Sequence, residues 1–317
     1  MSNLSSLALF ANSKFAVWFT PLWTVGLTAL GILVLLFAVF MIYRQLFPRA
    51  AAVTWTTAQD AVFQPLFWLL LSVGAFILAF FPFLPYFTLG DDLKVVKENG
   101  LQLISVLAMF QALWVASTSI FQELEGKTAL LILSKPIGRR EYIFGKFFGV
   151  LGPVALMFII LGVVFLASVS FKVVHESRES GLPVPTSEQC YDQIVHIAPG
   201  LALAFMATCV IASIAVAIST RLPILPNIVI CLSIYMIGNL VPMMVNQGDS
   251  AYGLVTWMGQ FFATIFPVLD YFAVYPAIAT EDPIPLNYMF GCAAYAILYS
   301  SVAMLISLLM FEDRDLA

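Results

Sequence analysis

Residues 121–149 read FQELEGKTALLILSKPIGRREYIFGKFFG and carry five of the fourteen Lys and Arg residues of the chain. Long apolar runs flank this stretch on both sides. A charge at the centre of a membrane span costs about 2.5–3.5 kcal/mol even on the lenient insertion scale, so the stretch must lie at a membrane surface. Basic loops between spans stay on the cytoplasmic side. We therefore predict a cytoplasmic loop over residues 122–146.

The composition indicates that the rest of the chain lies in a membrane. Of the 317 residues, 62% are hydrophobic and 10% are charged. Soluble domains are about 45–50% apolar and about 25% charged. So little polar surface cannot coat a soluble globule, and we predict an all-α polytopic membrane protein that crosses the cell membrane several times. The net charge of −4 argues against a nucleic-acid partner.

Seven apolar runs are long enough to cross a bilayer, which takes about 20 residues each. The predicted spans cover residues 22–42, 66–87, 101–121, 147–171, 197–220, 224–245 and 288–311. Residues 251–286 are also apolar but contain Gly, Pro and Asp270. Because irregular backbone survives at membrane depth only where protein or water satisfies it, we predict interfacial or re-entrant helices there. A broken eighth span is the alternative.

The charged residues outside the central loop fit one topology. With residues 122–146 inside, alternation of the spans also places Arg44, Arg49 and Arg221 inside, as the positive-inside rule requires. The acid-rich residues 172–196 then form an outer loop, and residues 251–286 lie on the outer side as well. We predict a single membrane domain over residues 1–317.

Within the central loop, residues 123–133 favour a short helix that Ser134-Lys135-Pro136 ends, because proline disfavours helical geometry at the preceding residue. A second helix is predicted to begin at Arg139 and to continue into the next span. Such an element is suited to docking a partner protein. The alternative is that its basic residues anchor the loop to lipid headgroups.

The sequence contains little that indicates a nucleotide-binding, metal or catalytic site. Gly126-Lys127-Thr128 resembles the end of a phosphate-binding loop, but position 121 is Phe where that motif needs Gly. His175 and His196 bracket Cys190 without a closely spaced ligand pair, so we predict no metal site. The sequence contains no HExxH or GxSxG motif. We expect a transport subunit without its own ATPase site or cofactor, and not an enzyme.

The order of residues in the loop resembles the membrane subunits of type-2 ABC exporters, the ABC-2 permease family. The branch it looks most like is the one grouped with multicopper-enzyme maturation permeases. Gly138 stands where that branch usually has Ser. The matching residues are Glu123, Glu125, Thr128, Leu133, Ser134, Pro136, Ile137, Arg139, Gly145 and Lys146, followed at the C-terminus by Phe311, Arg314, Asp315 and Leu316.

The resemblance implies six core transmembrane helices, and this chain would then carry one extra N-terminal span. It also implies that the loop is a cytoplasmic coupling helix docking into a separate ABC ATP-binding subunit. The coupling residues would be Glu123, Glu125, Thr128, Ser134, Pro136, Arg139, Gly145 and Lys146. ATP and Mg²⁺ would be bound by the partner, and a second permease copy or a paralogue would complete the pathway. The alternative is a non-ATP-driven membrane scaffold or channel.

Overall fold

The computed structural model describes residues 16–84, 92–125, 138–179, 185–246, 253–280 and 283–312. Every regular element within these residues is helical. The ten α-helices of the described residues are α1 (Ala16–Leu46), α2 (Pro48–Phe63), α3 (Pro65–Phe80), α4 (Asp92–Glu125), α5 (Arg139–Glu179), α6 (Ser187–Ser219), α7 (Ile224–Asn246), α8 (Gly253–Ile265), α9 (Tyr275–Ala279) and α10 (Leu286–Glu312).

Seven of these helices are long and apolar enough to cross a membrane: α1, α3, α4, α5, α6, α7 and α10. They coincide with the seven predicted spans, and the prediction of an all-α polytopic membrane protein is confirmed. The N-terminal span α1 stands at the edge of the bundle. Only 6% of the residues in the apolar stretch of α1 are buried by protein, against 67% of those in the apolar stretch of α4. The side chains of α1 are therefore left mainly to lipid.

The centre of the bundle is formed by α4, α5 and α6, which pack closely through small residues. Gly100 of α4 lies directly against the ring of Phe165 of α5, with no space for a Cβ atom. Gly200 of α6 is in the same situation against Ile278 of α9. Small residues allow helix backbones to approach in a membrane, where association depends on van der Waals packing.

Helix α2 was not predicted from the sequence. Pro48 occupies its first turn, Gln64 ends it in extended geometry, and Pro65 begins the next helix. Its mixed composition is too polar for a span, and one face is buried through Ala50, Ala51, Val53, Thr54, Thr57 and Ala61. The segment after the first span is therefore an amphipathic helix packed against the bundle, and not a simple link.

The described residues of the predicted outer loop over 172–196 are largely helical. Helix α5 continues to Glu179 and α6 begins at Ser187, where Thr186 and Gln189 form a capping box. The 41 residues of α5 extend about 60 Å, at 1.5 Å per residue. This is about twice the 30 Å hydrocarbon core of a bilayer. The backbone hydrogen bonds of a helix are made within the helix itself. Helix α5 can therefore continue beyond the membrane into water, where its side chains are charged.

Residues 257–279 form a bent element. The helical pieces Trp257–Ile265 and Leu269–Ala279 meet at 71°, as in a broken span or a re-entrant loop. Both predicted alternatives remain compatible with this geometry. The bend is held by α10, because the Tyr295 hydroxyl accepts the Val268 N–H at 3.0 Å. Asp270 within the bend is exposed.

Candidate functional site

The C-terminal end of α4 and the N-terminal end of α5 meet at a buried ion pair. Lys146 Nζ lies 2.6 Å from Glu123 Oε1 and also donates to the Ser119 carbonyl at 3.1 Å. The Tyr142 hydroxyl donates to the other carboxylate oxygen, Glu123 Oε2, at 2.7 Å. Both oxygens of Glu123 are therefore engaged by side chains of α5. We call Glu123, Tyr142 and Lys146 the inner clasp.

Burial makes the inner clasp a strong constraint. The Lys146 side chain is 3% exposed and that of Glu123 is 26% exposed. Tyr142 is fully buried, and the Lys146 ammonium lies 5.7 Å from the centre of its ring. A buried charge without its partner is costly, commonly by several kcal/mol, so the clasp resists separation of the two helices. Lys146 is consequently a residue that holds α4 to α5, with almost no surface to offer a partner protein.

Gly145, beside the clasp, allows α2 to pack closely on α5. A Cβ atom at this position would lie 2.8 Å from Val53 Cβ and 2.9 Å from the Ala50 carbonyl oxygen. The Thr54 hydroxyl donates to the Gly145 carbonyl at 3.1 Å across the same contact. One turn later, Gly149 meets Thr57 in a similar way. These glycines form a small-residue contact of the kind used by membrane helices.

The first turn of α5 presents the exposed charges of the site. Arg139 and Arg140 are both exposed. The Gly138 N–H donates to Glu141 Oε2 at 2.9 Å, and Arg49 of α2 lies 4.0 Å from the same carboxylate. The start of α5 is thus fixed by a local contact and faces the start of α2. Arg139 is the predicted coupling residue whose side chain is both described and exposed.

The C-terminal span reaches the same place. The ring of Phe311, near the end of α10, stacks on that of Tyr142 with centroids 5.6 Å apart. Phe311 is fully buried. Two stretches that carried the family resemblance, the loop and the C-terminus, therefore meet at the inner clasp although they are far apart in sequence.

The structure brings together Glu123, Gly145 and Lys146 of the predicted coupling set, with Arg139 on the adjoining surface. Glu125 is the last residue of α4, and its side chain lies outside the described part of the chain. Thr128, Ser134 and Pro136 also lie outside the described residues. Tyr142 and Ser119 were not predicted from the sequence, since a tyrosine or serine next to a span has no distinctive pattern.

A sequence model of a family described as "ABC-2 family transporter protein" matches residues 22–316. The chain belongs to this ABC-2 transporter family. It is a permease component of an ABC transporter and a multi-pass protein of the cell membrane. No curated protein matched the sequence.

In this ABC-2 chain, α4 and α5 are also paired at the opposite end. Lys172 Nζ of α5 lies 3.2 Å from Asp92 Oδ2 of α4, and the Lys172 side chain is 2% exposed. We call this pair the outer clasp. The two helices are therefore joined by a buried lysine at each end, with Gly100 packed on Phe165 between the ends. This arrangement favours movement of α4 and α5 as one unit.

His175, which the sequence placed near possible metal ligands, packs against an aromatic ring. His175 stacks on Phe171 with ring centroids 5.9 Å apart. Among the residues that the structure describes, no group of three His, Cys, Asp or Glu side chains is placed to hold a metal ion. Gln111 of α4 is fully buried, and neither its amide nitrogen nor its amide oxygen hydrogen-bonds to a described residue.

Proposed function

We propose that this chain is the permease subunit of an ABC exporter and works with a separate ATP-binding subunit that docks on residues 122–146. ATP and Mg²⁺ would be held by that partner. The observation that carries the proposal is the inner clasp. Glu123 and Lys146 stand at the two ends of the loop and are paired with each other at 2.6 Å.

The clasp supports a mechanical role for the loop. A push on residues 126–137 is delivered through the peptide chain to the end of α4 and the start of α5. Because the two ends are tied by a buried ion pair, the push displaces both helices together instead of separating them. The outer clasp then carries the displacement to the far end of the same pair. Exposed Arg139 and Arg140 would supply charged docking contacts beside the loop.

The bent element is suited to act as the outer gate of the pathway. It closes over a small, mainly apolar cavity of about 10 Å³ between α4, α6 and α7, whose lining includes the polar side chains of Ser105, Thr208 and Asn239. Tyr275 of α9 donates to the Ser105 hydroxyl at 3.4 Å. A displacement of α4 would change this contact. A second permease copy or a paralogue would supply the other half of the pathway.

The family match covers the ABC-2 family and does not extend to the branch grouped with multicopper-enzyme maturation, which rests on the order of residues in the loop alone. The metal that its name suggests has no part in the proposed mechanism.

The experiment is a mild-detergent pull-down of the tagged chain from its native membrane, with mass spectrometry of the proteins that accompany it. The proposal predicts a stoichiometric ATP-binding subunit with the native chain and its loss with a Glu125→Ala, Arg139→Ala double variant. The matched control is Arg221→Ala, an exposed arginine at the α6–α7 turn on the same predicted side. Recovery of an intact, folded chain without any ATPase would favour the scaffold or channel alternative.

A further inference from the structure

A second site lies between the N-terminal span and the rest of the bundle. A cavity of about 420 Å³, partly open to its surroundings, lies between α1, α5 and α6. Its lining extends from Ala155 to Leu166 on α5 and from Tyr191 to Phe205 on α6. The lining reaches from near the start of α6 to the middle of α5, and it does not include the inner clasp. The coupling mechanism makes no use of this cavity.

The walls of the cavity are almost wholly apolar. The polar residues of its lining are Thr24, Thr28 and Tyr191, and none of the lining residues that the structure describes is charged. The Thr24 hydroxyl donates to the Pro21 carbonyl at 2.6 Å, and the Thr28 hydroxyl to the Val25 carbonyl at 2.9 Å. Both threonines are thus satisfied within α1. The surface offered to a ligand is aliphatic and aromatic.

The cavity is present because several residues of α5 and α6 that face α1 are small. Ala155 and Gly162 on α5, and Ala198 and Ala202 on α6, leave a gap where larger side chains would have filled the space. Water does not occupy an apolar cavity of this kind, because it would lose its hydrogen bonds. An empty gap would forfeit the dispersion contacts of every side chain around it. The available apolar material at this depth is the hydrocarbon of the bilayer.

The length of the cavity matches one leaflet. The eleven residue steps from Ala155 to Leu166 cover about 17 Å along the axis of α5. One leaflet of a bilayer contributes about 15 Å of hydrocarbon, half of the 30 Å core. Tyr191, which is 45% exposed, lies at the end towards the membrane surface. Tyrosine is enriched at that interface, where its ring lies among headgroups.

We propose that this cavity binds one acyl chain of a membrane lipid, with the lipid headgroup beside Tyr191. The chain fills the gap between α1 and the α5–α6 pair and so completes the packing of the N-terminal span. In the proposed topology the lipid belongs to the outer leaflet, and only this assignment of leaflet depends on the proposed function.

The test uses the full-length protein in liposomes that contain a trace of phosphatidylcholine with a photoreactive diazirine in the middle of one acyl chain. After irradiation, mass spectrometry locates the lipid adducts. We expect adducts concentrated on α5 and α6 at the cavity lining. The exposed residues Ile297, Val302 and Leu309 of α10 serve as the reference for bulk lipid. Equal labelling of the cavity and of α10 would overturn the proposal.

A matched pair of variants then separates a bound chain from passing lipid. Ala202→Phe places a ring in the cavity, whereas Ala294→Phe adds the same ring to an exposed position of α10. We expect the cavity adducts to fall about tenfold in the first variant, the change that about 1.4 kcal/mol of lost binding produces, and to persist in the second. Ala198→Phe is the replacement if Ala202→Phe unfolds. Unchanged adducts in a folded cavity variant would overturn the site.

Two further outcomes identify a different occupant. If ATP hydrolysis by the associated complex removes the adducts, the cavity holds the tail of a transported molecule, and the resident-lipid proposal is wrong. If cross-links form between α1 of one copy and α5 of another, the cavity is an interface between copies and the proposal is equally wrong. Adducts that are independent of ATP and confined to lipid support it.

Discussion

The Lys146 ammonium lies 2.6 Å from Glu123 with 3% of the lysine side chain exposed. At the residue scale this pairing explains how a charge can sit inside the bundle. Carboxylate, carbonyl and aromatic ring all face the same ammonium. Removing one partner of such a pair leaves the other charge buried, which costs more than the pair contributes when intact.

Glu123→Gln is therefore expected to destabilise the protein by about 3 kcal/mol, the lower end of the range for broken buried pairs, because Glu123 is itself partly exposed. Thermal unfolding in lipid nanodiscs measures the effect. The control is Glu98→Gln, an exposed carboxylate on the same helix. Adding Lys146→Met to Glu123→Gln should restore part of the loss, since coupled residues are not additive. Equal melting of the Glu123 and Glu98 variants would contradict the inner clasp.

Gln111 gives a second test at the residue scale. Its amide is fully buried and has no hydrogen-bond partner among the described residues. An unsatisfied buried polar group costs about 1–3 kcal/mol, so Gln111→Met, which nearly conserves volume, is expected to stabilise the protein. Thermal unfolding again measures the change. Destabilisation would show that the amide makes an interaction that the fold depends on.

At the scale of elements, the contact between α2 and α5 depends on the absence of side chains at Gly145 and Gly149. Alanine normally stabilises a helix by about 1 kcal/mol relative to glycine. At Gly145 the added Cβ would lie 2.9 Å from a backbone oxygen of α2, which cannot move without shifting that helix. We expect Gly145→Ala to lower the melting temperature and to reduce transport.

Gly162→Ala on the same helix is the matched control. Its Cβ would meet Leu201 at 3.5 Å, an ordinary van der Waals contact. This variant should melt at the native temperature or slightly above it. If Gly145→Ala behaved like Gly162→Ala, the close packing of α2 on α5 would be wrong.

The elements also separate what sequence could predict from what it could not. Charge and hydropathy located the seven spans, since a lipid environment penalises every exposed polar group. The same signal is silent on α2, whose polar and apolar residues alternate with helical period, and on the extension of α5 to Glu179. Hydropathy shows where an apolar segment ends, whereas the helix itself can continue beyond that point.

The sequence predicted only part of the candidate site, because contacts between distant helices leave no local signal. The order of residues along the loop identified Glu123 and Lys146 as important. It did not identify them as partners, because pairing depends on how α4 and α5 pack. The stacking of Phe311 on Tyr142 joins residues 169 positions apart, and local sequence carries no sign of such a contact.

At the scale of the whole molecule, the inner and outer clasps tie α4 to α5 at both ends, and the bent element contacts α4 through Tyr275. In the proposed mechanism, a displacement of α4 and α5 would therefore reach the far side of the bundle. The proposed lipid beside α1 lies outside this path, so the N-terminal span is expected to follow the movement passively.

Docking of an ATP-binding subunit beside the loop is tested by site-specific photo-crosslinking in native membranes. A photoreactive amino acid replaces Arg140, which is exposed at the start of α5, and, in a control, Glu188, which is exposed at the start of α6 near the other end of α5. We expect a cross-link to an ATP-binding-cassette subunit from position 140 and none from position 188. A cross-link to that subunit from position 188, or none from position 140 in a folded protein, would contradict this docking.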